Sequence, residues 1–418
     1  MILTNVPGID REVGMLTYAN PELYVGNYLS YVQSPNTFVV REVGLNGLVA
    51  NTELCLSKEI LKEVINELVR NYRYSLLIMC KEGLPTLDAV SLVSKYLRVR
   101  RLGFAGLKDA NAHTCQFLSV ESKYLPVLTE LVKDSVIEVR TSSGRVWLCI
   151  TGLGTNHWLG RGDLEGNSFT IKMVIKDPER ISEVEGILRR LGNSLLPNYF
   201  GYQRFGSRRP ITHLVGRELL MGNYEGAIEV LVGKPSEYES ESVRRARELF
   251  RLGKLREALN AFPSKFWIER KVISDLIRGK SPRDVIKSLG TKYLRLFIEA
   301  YQSYLFNLAL SKLIIDLGST YEVARRCDVL ELPNLGIRYL SNQCDYVVKE
   351  VVNEYLRGLA KDFVKYLRSG VRSTVFTVRD LVISREGNYV VIGFTLGPST
   401  YASVVLRELL REDVVKAL

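Results

Sequence analysis

The spacing of apolar residues along the first part of the chain predicts strands and helices in alternation. Residues 37–43, TFVVREV, have the β-branched and aromatic content of a strand, and Ser57 is placed to cap a helix with apolar residues at helical spacing. A second strand and helix follow at residues 74–81 and from Thr86 onward. Residues before 37 show no sustained period, so we expect an irregular arm that lies over the first domain.

The next break in the pattern puts an acidic side chain in a turn. The short segment 102–106 is apolar and aromatic, which is typical of a buried strand. Lys108 and Asp109 interrupt this pattern, and it resumes at Thr114. Two strands joined by a tight turn would place the Asp109 carboxylate at the edge of a sheet. Taken alone, an aspartate in a turn is most simply explained as an Asx-turn, in which the side chain bonds its own backbone.

The remaining pattern divides the chain into strand-rich ends and a helical middle. A helix is predicted near residues 123–133, and strands are predicted near 136–141 and 146–151 and again where Phe169, Ile171 and Met173 alternate. From residue 197 to about 373 the apolar period is mostly helical. Strand signal then returns, before a last helix closes the chain.

This order is most simply explained by one sheet domain that a helical insertion interrupts. We expect an α+β fold with a mainly antiparallel or mixed sheet, formed by residues 1–197 and 373–418, and a largely helical insertion formed by residues 198–372. A tail of two strands and one helix could hardly bury a core of its own, so it should complete the first sheet. Three consecutive domains are the alternative.

Composition and charge narrow the choice of partners. A chain of 418 residues with a formal net charge of +11 favours a polyanionic partner, because clustered Lys and Arg gain affinity by releasing counterions from phosphates. Apolar runs are too short to cross a bilayer, and neither a basic amphipathic anchor nor a helix-turn-helix pattern is evident. We therefore expect no membrane partner and no DNA partner. The start of the sequence lacks a secretory signal pattern, which predicts a cytoplasmic protein.

The cysteines suggest neither a metal site nor disulfide bonds. They are scattered without a C-x-x-C pair, and only three histidines could join them. We expect reduced, mostly buried thiols. The six are Cys55, Cys80, Cys115, Cys149, Cys327 and Cys344.

The segment GLKDANAHTCQ, around Asp109, resembles the G-x-K-D-x-x-A-x-T-x-Q signature of the TruD family of RNA pseudouridine synthases. The matching residues are Lys108, Asp109, Ala112, Thr114 and Gln116. The preceding segment, CKEGLPTLDAV, resembles the family's K-x-G-x-x-T-x-x-A.

Five further segments resemble the family in the expected order. They are F-x-V-x-E at residues 38–42, G-N-x-F at 166–169, P-N-Y-F-G-x-Q-R-F-G at 197–206, A-x-Q-S-x-L-F-N at 300–307 and, more loosely, L-P-x-G-S-Y-A-T at 396–403 followed by L-R-E. The Asp usually found before the first of these motifs is Thr37 here, and the Gly and Pro positions of the last one differ.

The resemblance implies a function as well as a fold. It implies a pseudouridine-synthase catalytic domain with a family-specific insertion, acting on uridine-13 of the tRNA D arm without a cofactor or metal. It makes Asp109 the nucleophile. The alternative is a noncatalytic RNA-binding or RNA-chaperone protein that uses the same cleft. Oligomeric state stays open.

Further residues are candidates for binding the substrate. Phe169 and Tyr401 could stack on the extruded base, although without the motifs both would be ordinary core aromatics. Asn167 could bond the uracil edge or orient Asp109, and either Lys108 or Arg41 could offset the desolvation of that carboxylate. Glu42 has a structural and a functional explanation in equal measure, and the base that removes the C5 proton is not evident. The full substrate-binding set is Phe38, Arg41, Glu42, Lys108, Asn167, Phe169, Arg204 and Tyr401. We expect Asp109, Asn167, Phe169 and Tyr401 to line one positively charged cleft.

Overall fold

The computed structural model describes residues 2–207, 209–336, 342–411 and 414. The helices are α1 (Gly8–Glu12), α2 (Lys58–Asn71), α3 (Thr86–Tyr96), α4 (Leu125–Leu131), α5 (Ile181–Arg190), α6 (Thr212–Leu220), α7 (Tyr224–Ile228), α8 (Glu241–Arg251), α9 (Leu255–Ala261), α10 (Trp267–Ile277), α11 (Pro282–Lys287), α12 (Thr291–Leu317), α13 (Thr320–Arg326), α14 (Tyr346–Tyr355), α15 (Lys361–Val364) and α16 (Ala402–Leu410). The strands are β1 (Leu29–Ser30), β2 (Phe38–Val43), β3 (Tyr74–Glu82), β4 (Gly103–Phe104), β5 (His113–Glu121), β6 (Ile137–Arg140), β7 (Arg145–Thr155), β8 (Gly166–Ile175), β9 (Leu196–Pro197), β10 (Val329–Glu331), β11 (Val371–Ser373), β12 (Val375–Phe376), β13 (Arg379–Glu386) and β14 (Tyr389–Leu396).

One large sheet organises the fold. Its strand order is β13-β14-β8-β2-β5-β3-β7-β6, with β1 beside β8 and β4 beside β5. Strands β2 and β5 are parallel, and the other neighbouring pairs in that order are antiparallel. The expected α+β class with a mixed, mainly antiparallel sheet is therefore confirmed.

Strands from the two ends of the chain share this sheet. Strand β14 pairs with β8 along its whole length, from Tyr389 opposite Val174 to Leu396 opposite Asn167. Between these strands in the sequence lie the helices α5 to α15. Of these, α6, α11, α13 and α14 pack against the long, largely buried helix α12. Two short antiparallel strand pairs, β9 with β12 and β10 with β11, also occur in or beside this mostly helical region. No helix of the described segments is long and apolar enough to span a membrane.

The N-terminal arm packs more widely than the sequence indicates. Strand β1 lies on the sheet beside β8, but Asn307 on α12 donates from Nδ2 to the carbonyl of Val13 at 2.9 Å. Arg407 on α16 forms a buried ion pair with Asp10, with 2.7 Å between Nε and Oδ2. The arm therefore contacts the sheet, α12 and α16. Single polar side chains make these contacts, so no periodic pattern in the sequence indicates them.

The prediction of reduced thiols and of no disulfide bonds is wrong. All six cysteines are paired, as Cys55–Cys149, Cys80–Cys115 and Cys327–Cys344. Strand register brings the second pair together, because Cys80 on β3 lies directly opposite Cys115 on β5. Register is not visible in the spacing of cysteines along the chain, so the sequence could not indicate this pairing.

Candidate active site

One face of the central sheet carries most of the predicted site. Register partners on neighbouring strands share a face, and successive residues of a strand alternate between faces. Val40 on β2 lies opposite both Thr114 on β5 and Phe169 on β8, and Thr114 lies opposite Lys81 on β3. The shared face therefore carries Phe38, Glu42, Lys81, Thr114, Gln116, Asn167 and Phe169.

The turn that carries Asp109 joins β4 to β5 and is held at its backbone. Lys81 Nζ donates to the Asp109 carbonyl at 2.6 Å and lies 3.3 Å from the Lys108 carbonyl. Thr86, at the start of α3, accepts at Oγ1 from the Lys108 N–H at 2.7 Å. Gln116 Nε2 donates to the carbonyl of residue 106 at 3.2 Å. Three elements thus fix the position of Asp109.

Gly83, directly after β3, adds a further hydrogen bond that holds the backbone of the Asp109 turn. The Gly83 N–H donates to the Ala110 carbonyl at 3.0 Å. Gly83 has φ +74°, and a Cβ atom at this position would lie 2.4 Å from the Ser143 carbonyl oxygen. Both the positive φ and the close approach require glycine here.

The Asp109 carboxyl is partly buried beside two cations. Burial raises the pKa of Asp109, and the ammonium groups of Lys81 and Lys108 oppose that shift. Lys81 itself is fully buried. Burial lowers the pKa of Lys81 to about 8, the Asp109 charge acts in the opposite direction, and Lys108 adds to the lowering. The carboxylate and Lys81 therefore favour each other's charged form.

Lys81 is the residue that sequence reasoning missed. Its position was visible as the first residue of the K-x-G-x-x-T-x-x-A segment, in which Thr86 is also a motif residue. Arg41, which the sequence analysis offered beside Lys108 as the cation, alternates with Val40 and Glu42. It therefore lies on the other face of β2, opposite Cys115 and Ser168. The structure does not bring Arg41 to the Asp109 face.

Lys108, Glu42 and Asn167 form a second polar cluster. Lys108 Nζ lies 2.8 Å from Glu42 Oε2, and both side chains are almost fully buried. The same ammonium donates to Asn167 Oδ1 at 2.6 Å. Glu42 Oε1 also accepts from the Phe117 N–H at 3.3 Å. Burial raises the pKa of Glu42, and the Lys108 cation opposes the rise. Three candidate residues from distant parts of the chain thus meet beside the Asp109 turn.

The aromatic candidates separate into two groups. Phe169 is buried between Phe38 and Phe394, with ring centroids 5.9 Å and 5.5 Å away. Tyr401 lies in another group, 6.3 Å from the Phe200 ring. No ring contact between described residues joins the two groups directly.

Tyr401 and Arg204 line a basic cavity of about 400 Å³. Four arginines contribute to its lining: Arg161, Arg204, Arg368 and Arg372. Arg204 bonds Ser303 Oγ at 3.0 Å and Glu299 Oε2 at 3.2 Å, both on α12. Asp109, Asn167 and Phe169 are not among the described residues that line this cavity. Tyr401 and Arg204 therefore lie in a basic space next to α12. The expectation that Asp109, Asn167, Phe169 and Tyr401 line one cleft stays a prediction.

Among the residues that the structure describes, one set of side chains has the spacing of metal ligands, and it lies on the other face of the sheet. The ligand atoms of Cys80, His113 and Cys115 lie within 4.8 Å of one another. The two sulfurs are joined in a disulfide, so neither is available as a thiolate ligand in this state. His113 Nδ1 lies 2.8 Å from Glu82 Oε1. This cluster is separate from the Asp109 face.

Comparison with known proteins gives an independent result. The family model described as "tRNA pseudouridine synthase D (TruD)" matches residues 12–361. Proteins named "Probable tRNA pseudouridine synthase D" are similar to this chain. The one from Sulfurisphaera tokodaii is 32% identical over 347 residues, covering 82% of this chain and 86% of the relative. The one from Pyrobaculum neutrophilum is 31% identical over 434 residues, covering 98% of each chain.

A solved structure has the same fold. The crystal structure of a protein from Methanosarcina mazei, described as "Putative tRNA pseudouridine synthase D (TruD)", matches with a TM-score of 0.65 and 21% identity, covering 99% of this chain and 100% of its own.

Proposed function

The chain belongs to the TruD family of tRNA pseudouridine synthases, and on that premise we propose that it converts uridine-13 of the tRNA D arm to pseudouridine without a cofactor, with Asp109 as nucleophile. The observation that carries this proposal is the clamped turn. Lys81, Thr86 and Gln116 hold the backbone around Asp109, and Lys81 supplies a buried positive charge beside the carboxylate.

The reaction exchanges one bond to the sugar for another. The bond between the anomeric carbon and N1 breaks, the base turns, and the same carbon bonds to C5. C5 then loses its proton and N1 gains one, so the product is an isomer of the substrate. A carboxylate facing the ribose can attack the anomeric carbon or remove a neighbouring proton. Either role needs the ionised form, and a turn held by its backbone keeps that carboxylate in one position. The two lysines beside Asp109 support that ionised form.

Neighbouring side chains are suited to hold the detached base. The target must leave its stack before the anomeric carbon is reachable. Asn167 Oδ1 accepts from Lys108, which leaves its amide N–H groups to donate to a uracil carbonyl. Phe169 lies on the same face of the sheet, where its ring packs between Phe38 and Phe394. These positions support roles for Asn167 and Phe169 in binding the base.

The arginine-lined cavity suits the rest of the tRNA. Arginines recognise phosphate oxygens, and an aromatic ring such as that of Tyr401 can stack on an unpaired base. We place this contact where residues of α12 meet residues 398–401 after β14. In this proposal the catalytic domain comprises residues 1–197 and 373–418, and the insertion, residues 198–372, supplies the second wall of the RNA site.

A tRNA transcript carrying uridine-13 tests the proposal directly. The purified protein should release tritium from C5-labelled uridine and form one pseudouridine at position 13, located by sequencing after carbodiimide treatment. A transcript with cytidine at position 13 is the control and should release none. Tight tRNA binding without any pseudouridine would instead favour the noncatalytic RNA-binding protein.

We expect a bell-shaped dependence of the reaction rate on pH. Asp109 acts when ionised, so the rate should rise as pH increases through its raised pKa. Lys81 has a pKa of about 8, and its charge favours the ionised carboxylate, so the rate should fall as pH increases through that value. Single-turnover rates between about pH 5 and 10 measure both limbs. A rate that stays level through pH 8 would contradict the role given to Lys81.

A further inference from the structure

Tyr31, in the N-terminal arm just after β1, has a buried hydroxyl without a partner. Its side chain is only 4% exposed, and its Oη makes no hydrogen bond to any described residue. A buried donor that bonds nothing loses its water without compensation, so native structures leave few of them, and those few need an explanation.

The arm holds Tyr31 against the Asp109 turn. Gln33 Nε2 donates to the Asn111 carbonyl at 3.1 Å, and Asn111 Nδ2 donates back to the Gln33 carbonyl at 2.9 Å. Gln33 is two residues from Tyr31, and Asn111 is two residues from Asp109. This reciprocal pair fixes the arm to the turn, and the Gln33 Oε1 atom beside it is also buried without a partner.

The Asp109 carboxylate affects the pKa of the Tyr31 hydroxyl. Burial raises the pKa of Tyr31 far above its usual value, and the Asp109 carboxylate raises it further. The hydroxyl is therefore neutral at any working pH, so it can donate a hydrogen bond but cannot act as a base that accepts the C5 proton.

We propose that Tyr31 is a substrate-binding residue of the Asp109 site, and that its hydroxyl donates a hydrogen bond to an oxygen of the extruded uridine nucleotide. The inference rests on the proposed function. A bound nucleotide brings acceptor oxygens next to the nucleophile, on the ribose as the 2′-hydroxyl and on uracil as the carbonyls. The Tyr31 hydroxyl then gains the partner that it lacks in the free protein.

The Tyr31→Phe variant tests the inference, because it removes the hydroxyl and keeps the ring. We expect the single-turnover rate of pseudouridine formation to fall about 10- to 100-fold. The melting temperature should stay the same or rise, since the variant also removes an unpaired buried group. A tyrosine that served only the packing would leave the rate unchanged.

Tyr18→Phe is the matched control. Tyr18 lies in the same arm and is only 2% exposed, so the same substitution removes a buried tyrosine hydroxyl from this arm. Its charged neighbours are Arg407, Asp10 and Glu408, and not Asp109. This variant should keep the wild-type rate.

An RNA with 2′-deoxyuridine at the target position distinguishes the two acceptor oxygens. If the loss caused by Tyr31→Phe disappears on that RNA, the partner is the ribose hydroxyl, and if the loss persists, the partner is a uracil carbonyl. A Tyr31→Phe enzyme that is as fast as an active wild type would overturn the inference alone. A wild type inactive on every tRNA would overturn the proposed function, and this inference with it.

Discussion

Replacing Asp109 with asparagine should lower the single-turnover rate of pseudouridine formation by at least about 10⁴-fold, because a neutral amide can neither attack the anomeric carbon nor accept a proton. The amide has the size of the carboxyl group, and the bonds that hold the turn run to its backbone and not to this side chain. The variant should therefore still fold and bind tRNA. Tritium release, filter binding and a thermal unfolding curve measure the three properties.

Asp88→Asn is the control for the change of net charge. Asp88 is exposed in the first turn of α3, close in sequence to the same site. Its replacement changes the charge by the same amount and should leave the rate unchanged. An Asp109→Asn protein that keeps even a tenth of the wild-type rate would remove Asp109 from the role of nucleophile.

The periodic parts of the fold were predictable from the sequence. The apolar spacing predicted β2, α2, β3, α3 and β5, and Ser57 caps α2 as expected, with its Oγ accepting from the Ile60 N–H. Elements without a period were not predictable. The strand expected at residues 102–106 is reduced to the two residues of β4, and the arm contains a short helix that the sequence does not indicate.

Only those site residues that belong to recognisable sequence motifs could be predicted. Asp109, Lys108, Glu42 and Asn167 were candidates from the sequence, and the structure brings the last three into contact. The contacts of Lys81 depend on how β3 is aligned with β5, and Lys81 is separated from Asp109 by 28 positions in the chain. The position of Arg41 likewise depends on strand geometry, and the structure places it away from Asp109. It is adjacent to Glu42 in sequence, but adjacent residues of a strand point to opposite faces.

Replacing Lys81 with methionine should lower the rate about 10²- to 10³-fold, the range typical for loss of a positioned donor in an active site. Methionine keeps the apolar volume of the lysine stem, but it leaves the carbonyls of Lys108 and Asp109 without the ammonium donor. It also removes the cation that most strongly opposes the raised pKa of Asp109. The remaining carboxyl group should therefore ionise at a higher pH than in the wild type.

This shift separates an electrostatic role from a merely structural one. In Lys81→Met the acid limb of the rate profile should move to higher pH, and the alkaline limb near pH 8 should disappear, because the group that titrates there is gone. Lys95→Met, at an exposed position of α3, removes the same charge and should keep both limbs. A Lys81→Met enzyme with a lower rate but both limbs unmoved would show that Lys81 only supports the turn, and the ionisation of Asp109 would then depend on Lys108 alone.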